Sequence, residues 1–244
     1  VLAFEFEEPK GLENIPFIPE RLVLGKRIER FFSAYIFESD RYELLTENLQ
    51  IIKEKVTIGE LDFIVKDKYR NEIVHIELVY KFYLFQEGTD DISSWIGPNN
   101  NDSLEHKLDK LKTKQFPLLR HKETINSLNR LGIPYIDVKQ SICFLSNLFL
   151  PYNLAQQTIH SVNKDCVVGW WATLQQFETK YYEEYLFSIP DKEDWIVDCK
   201  FAMSWVDYDL FLQEVRKAHN KNKSPLCWVN KGSGVYEKFF LVWW

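Results

Sequence analysis

Apolar and polar positions alternate most clearly from Gly59 to Phe85, and the rest of the chain is read outward from there. Val74, Ile76, Leu78, Tyr80, Phe82 and Leu84 fall on one parity; His75, Glu77, Val79 and Lys81 fall on the other. Leu61, Phe63 and Val65 share one parity of the preceding stretch, with Glu60 and Asp62 opposite. Successive side chains of a strand point to opposite faces. The pattern therefore predicts two strands joined by the polar turn Lys66-Asp67-Lys68-Tyr69-Arg70-Asn71, each with an apolar face. If the turn makes them neighbours, two carboxylates and an ammonium meet on one surface.

On the N-terminal side, Pro9, Pro16 and Pro19 mark an irregular arm over 1–20. Leu24, Ile28, Phe31, Phe32, Tyr35 and Ile36 then give the period of a helix over 21–39. Glu29 sits about 100° around from Ile28, at the margin of that face. Tyr42–Ile52 reads as a strand, with a helix as the alternative because Glu and Leu are good helix formers. Beyond Phe85 an acidic loop leads to the turn formers Gly97-Pro98-Asn99-Asn100-Asn101. Asp102 with Glu105 resembles a capping box opening a helix over 103–115. Its stripe is Leu104, Leu108, Leu111 and Gln115, and Lys107, Lys110 and Lys114 form a second stripe. Those lysines suit either a solvated helix face or a ridge that tracks phosphates. A helix over 120–131 stops at Gly132 and Pro134, and Ile136–Leu150 is apolar enough for one or two buried strands.

Pro151 is the expected boundary to a smaller α+β domain over 151–244. It is read as strands at Val167–Phe177 and Tyr185–Ile189, a helix over 205–219 capped by Ser204 with Asp207 in its first turn, and a terminal strand at Phe239–Trp244.

Composition narrows the reading. The 244 residues, 45% hydrophobic and 27% charged, suit one large domain or a larger plus a smaller one. A formal charge of -6 argues against a generally cationic coat but leaves room for a local basic groove. Cys143, Cys166, Cys199 and Cys227 form no CxxC pair, which points to reduced core thiols in a cytoplasmic protein rather than zinc ligands. No signal peptide is visible in VLAFEFEEPK, and no apolar run is long enough to span a bilayer. Trp95, Trp170, Trp171, Tyr181 and Tyr182 are able to stack bases, although aromatic residues serve more often as core.

The order helix, strand, strand, strand, helix, strand over 21–150, with GELDFIV and HIELVYKF, resembles the PD-(D/E)XK nuclease superfamily. The runs RLVLGKRIERFF, YELLTENLQI, GELDF, HIELVYKFYL and WIGPNNNDSLEHKL look like an uncharacterised bacterial domain family assigned to that superfamily. The resemblance implies an α/β protein with a restriction-endonuclease-like three-layer α-β-α core at 21–150. It implies Asp62 and Glu77 as ligands of Mg²⁺ or Mn²⁺, with Glu29 completing the site and Glu60 near it. The lysine that normally follows the glutamate by two positions is replaced by Val79, and Lys81 is the nearest lysine of that parity. His75 is a possible substrate contact. Lys107, Lys110 and Lys114 would track nucleic acid. The activity implied is metal-dependent phosphodiester hydrolysis, DNA ahead of RNA. The alternative is an inactive nuclease-like module that binds nucleic acid or a protein partner. Nothing indicates a membrane partner or an oligomeric state.

Overall fold

The computed structural model describes residues 1–7, 16–154, 159–178 and 180–244. Pro9 and the rest of the expected arm over 8–15 lie outside them. The chain forms a mixed α/β fold that divides into two compact units. The first holds 1–80 and 108–145; the second holds 81–107 and 146–244. No helix among the described residues is long and apolar enough to cross a membrane.

In the first unit, β1 (Leu2–Ala3) precedes α1 (Leu24–Glu38), β2 (Tyr42–Lys53), β3 (Val56–Asp67) and β4 (Glu72–Phe85). From residue 108, the end of α2 (Leu104–Lys110) runs into a π-helical turn, Leu111–Gln115, followed by α3 (Phe116–Leu118), α4 (Lys122–Arg130) and β6 (Val138–Pro151), of which the first unit holds the part up to Leu145. The strand order is β2-β3-β4-β6, with β1 parallel to β6. α1 forms because Leu24, Ile28, Phe32 and Ile36 recur every four residues and are buried together. Phe32 and Ile36 pack with Phe63, Val65 and Ile76. Ile64, from the other parity of β3, packs with Leu119 and with Leu128 of α4. Each large apolar side chain so buried contributes about 1.5–3 kcal/mol. Tyr42–Lys53 is a strand and not the helix its composition allowed, because its partner β3 supplies the backbone ladder.

One face assignment changes. Leu61 packs with Ile51, Ile64 and Leu128, whereas Phe63 and Val65 pack beneath α1. The face of β3 therefore turns over across Asp62. Opposite that point, β2 carries Asn48 with φ 51, a left-handed residue inside a strand. The pairs Glu47↔Phe63 and Leu49↔Leu61 flank it.

In the second unit, β5 (Trp95–Ile96) pairs with the end of β4, and β7 (Val167–Thr173) runs parallel to the end of β6. β8 (Leu186–Ser188), β9 (Leu226–Asn230) and β10 (Tyr236–Val242) complete the order β7-β10-β9-β8. The stretch expected as one strand over 167–177 breaks at Thr173. Its hydroxyl accepts from the Gln176 N–H and, with the Gln176 side chain, closes a capping box that opens α5 (Leu174–Phe177). α6 (Tyr208–His219) is capped by Asp207 rather than Ser204, because the Asp207 carboxylate accepts from the Leu210 N–H at 2.9 Å. α6 buries Phe211, Leu212 and Val215 against Phe187, Val229 and Phe239.

Candidate functional site

The β3–β4 ladder runs from Asp67↔Glu72 to Phe63↔Ile76. Continued by one residue, the same register sets Asp62 opposite Glu77. The ladder stops there, and the Asp62 carboxylate Oδ2 accepts from the Leu78 N–H at 2.9 Å. A side-chain oxygen thus takes a strand donor at the point where β3 turns over.

Glu77 and His75 share a parity of β4, and both side chains are fully enclosed, at 0% exposure. Glu77 Oε2 accepts from the Gln115 amide, carried inward by the π turn. A π turn closes i→i+5 bonds and widens the helix locally, a device frequent at functional sites. Glu77 Oε1 lies 2.9 Å from His75 Nε2, yet neither atom makes a well-directed hydrogen bond. The contact is close but misaligned, and it leaves both atoms orphaned. On the far side of the ring, Gln140 Nε2 donates to the Phe116 carbonyl at 2.8 Å and approaches His75 Nδ1 at 3.4 Å. The Gln140 amide thus lies between the Phe116 carbonyl and the imidazole ring. Val79, Leu111 and Phe116 form the apolar packing nearby.

A second polar group forms around α1. Lys26 Nζ donates to Glu29 Oε2 at 2.6 Å and to Asn48 Oδ1 at 3.0 Å, and lies 3.5 Å from Glu60 Oε1. Partial burial opposes the charged form of Lys26, but Glu29 and Glu60 outweigh it and hold the ammonium pKa above its ordinary value. A pocket of about 200 Å³ opens here, lined by Leu22, Lys26, Glu29, Arg30, Glu47 and Asn48.

The expected site residues are thus distributed. Glu29 and Glu60 come together, bridged by Lys26. Asp62 is engaged by the Leu78 backbone, and Glu77 is enclosed with His75 and Gln115. Lys81 belongs to the second unit, where its ammonium lies 2.6 Å from Asp102 Oδ2. Asp102 also stands against Gly97, where a Cβ would collide with Oδ1. Asp102 therefore does not cap α2; Ser103 Oγ takes that place, accepting from the His106 N–H at 3.1 Å. Lys107 is half-buried in the second unit and has a partner of its own. Lys110 and Lys114 are exposed in the first unit.

Mg²⁺ and Mn²⁺ favour oxygen ligands, and Mg²⁺ keeps several waters. Glu77 is fully enclosed, with one oxygen held by Gln115, and so lies out of contact with the water such an ion would carry. Among the described residues no three His, Cys, Asp or Glu side chains converge as ligands. The residues as arranged do not fit a divalent cation.

Lys26, Asn48 and Gln140 escaped the sequence reading as site residues. Lys26 stands one turn before Glu29, a spacing at which helix side chains meet. Gln115 carried a visible signal, since an amide in a leucine stripe needs a buried polar partner.

Neither a curated protein nor a solved structure matches the chain. A family model does match, over residues 2–242, and the chain belongs to that family, described as domain of unknown function DUF1853.

Proposed function

We propose that this protein is a nucleic-acid-binding module on a nuclease-like scaffold, without hydrolytic activity of its own. The observation that carries the reading is the enclosure of Glu77. The carboxylate expected to hold the catalytic cation is instead a buried structural group, bonded to Gln115 and pressed against His75. Support for a polyanionic partner comes from Lys110, Lys112 and Lys114, all exposed within about one helical turn of the first unit. Each phosphate contact contributes about 0.9 to the slope of log affinity against log salt on duplex DNA. Reversing Lys110 and Lys114 to Glu is therefore expected to weaken duplex binding and flatten that slope by about two. Unchanged affinity and slope would return these lysines to ordinary solvated surface.

Metal-dependent phosphodiester hydrolysis, DNA ahead of RNA, is the second reading. One observation favours it: the β3–β4 ladder ends on the pair Phe63↔Ile76, next to Asp62 on one strand and Glu77 on the other. It demands a state in which Glu77 has left Gln115 and His75. Calorimetric titration with Mn²⁺ beside a cleavage assay separates the two readings. The binding-only protein takes up no ion and leaves DNA intact. Cleavage that disappears in Asp62→Asn would establish the hydrolase.

A further inference from the structure

Lys231, in the second unit, demonstrates how this chain holds an organic cation. Its Nζ lies 5.5, 6.0 and 5.9 Å from the ring centroids of Tyr181, Tyr182 and Tyr185. It also lies 2.6 Å from Glu237 Oε1. Aromatic faces carry negative charge and attract a cation within about 6 Å, and the carboxylate adds a direct pair.

A second group of the same composition occurs in that unit. A pocket of about 420 Å³ is lined by Tyr152, Trp171 and Trp244, with Glu87 beside them, and among the described residues its lining includes no lysine or arginine. The two indoles are held by their N–H groups. Trp171 Nε1 donates to the Phe85 carbonyl at 2.9 Å, and Trp244 Nε1 donates to the Pro98 carbonyl at 3.1 Å. Their centroids stand 5.5 Å apart with the planes inclined by 46°. Glu87 Oε1 accepts from Asn153 Nδ2 at 2.8 Å, which steadies the carboxylate and leaves its other oxygen for a ligand. Tyr152 and Glu87 are exposed, so the pocket can be entered from solvent.

The sign of the charge selects the ligand. A carboxylate with no cation among its neighbours in the pocket repels phosphates, so this is not a second contact for the nucleic-acid backbone. Three aromatic side chains and one acid match the composition that holds Lys231. We propose that this pocket binds an organic cation, a guanidinium or alkylammonium group. The chemistry has two sources: a basic side chain of a partner peptide, or a small quaternary ammonium compound. The inference is independent of whether the first unit binds nucleic acid.

The test is titration of the full chain with argininamide and with tetramethylammonium, followed by calorimetry and ligand-observed NMR. Urea and tert-butanol serve as neutral analogues. Saturable binding to one site in the millimolar range is expected. Glu87→Gln and Tyr152→Ala, both at exposed positions, should each weaken it by about three- to tenfold. Preference for argininamide assigns the pocket to a basic side chain, and preference for tetramethylammonium assigns it to a quaternary ammonium. Absence of saturable binding, equal affinity in both variants, or equal binding of the neutral analogues would overturn the proposal.

Discussion

Replacing Gln115 by Leu keeps the volume of the side chain roughly constant but removes the donor to Glu77 Oε2. The carboxylate is then left with His75 Nε2 alone, at 2.9 Å and misaligned. A hydrogen bond to a charged group contributes about 1.5–3 kcal/mol, and breaking a buried pair from one side costs about 3–5 kcal/mol. About 3 kcal/mol is the expected loss for Gln115→Leu. In a Glu77→Gln background the acceptor is a neutral amide, and losing the same donor costs about 1 kcal/mol. The two substitutions should therefore be coupled by about 2 kcal/mol, which a double-mutant cycle isolates. For a chain of this size, 1 kcal/mol corresponds to about 2–4 °C in Tm. Gln115→Leu should lower Tm by about 6–12 °C in the wild type and by about 2–4 °C beside Glu77→Gln. Thermal unfolding followed by circular dichroism, with urea titration as a check, reads both values. Equal shifts in the two backgrounds would refute the reasoning. Glu77 would then not depend on Gln115, and its carboxylate would be free to hold a cation.

Two further outcomes follow from the backbone and the charges of the first unit. Asn48 has φ 51 and accepts from Lys26, so Asn48→Val should destabilise by about 2 kcal/mol, since the left-handed region costs a β-branched residue at least 1–2 kcal/mol. Asn48→Gly should cost less than about 1 kcal/mol, and equal losses in the two variants would mean that Asn48 is not held left-handed. Burial alone would raise the Asp67 pKa, but two bonds from Arg41, with the Arg70 and Tyr69 N–H groups, hold it below the usual range. A folded pKa below the unfolded value of about 3.9 gives stability that is present above about pH 4 and lost as pH falls through the folded value. Asp67→Asn should flatten that acid limb in urea titrations across this window, and an unchanged limb would place the titrating group elsewhere.

Much of the first unit was legible because single elements carry their own period. α1 announces itself through Leu24, Ile28, Phe32 and Ile36, and β4 through the apolar parity of Val74, Ile76, Leu78 and Tyr80. The cap at Gly132 is equally local, with φ 71 at the residue expected to end the helix. What escaped depends on competition between partners. Asp102 and Ser204 are good capping residues by type. Asp102 is engaged by Lys81 beside Gly97, while Ser204 lies three residues before Asp207, which holds the cap itself. The face change at Asp62 was likewise hidden, because it arises where a left-handed Asn48 on β2 meets β3, and no window along one strand contains both. The π turn belongs to the same class. It delivers Gln115 to Glu77, a contact 38 positions away in sequence.

That face change also explains why the acidic residues singled out in the sequence meet separate partners. β3 turns over between Leu61 and Phe63, so each carboxylate meets a different donor. Glu29 and Glu60 meet Lys26, Asp62 meets the Leu78 N–H, and Glu77 meets Gln115. A cation that took the place of the Leu78 N–H on Asp62 and of the Gln115 amide on Glu77 would forfeit two donors, each contributing about 1.5–3 kcal/mol to a charged acceptor. Binding at millimolar concentration requires a net gain of about 4 kcal/mol. The ion's own interactions must therefore exceed about 7–10 kcal/mol before the site fills, and they must do so with Glu77 first brought into contact with water. Each of these acids has an internal donor on at least one oxygen, and none of those contacts calls on a metal. Those donors are what the proposed binding module retains and what the hydrolytic reading requires Asp62 and Glu77 to give up.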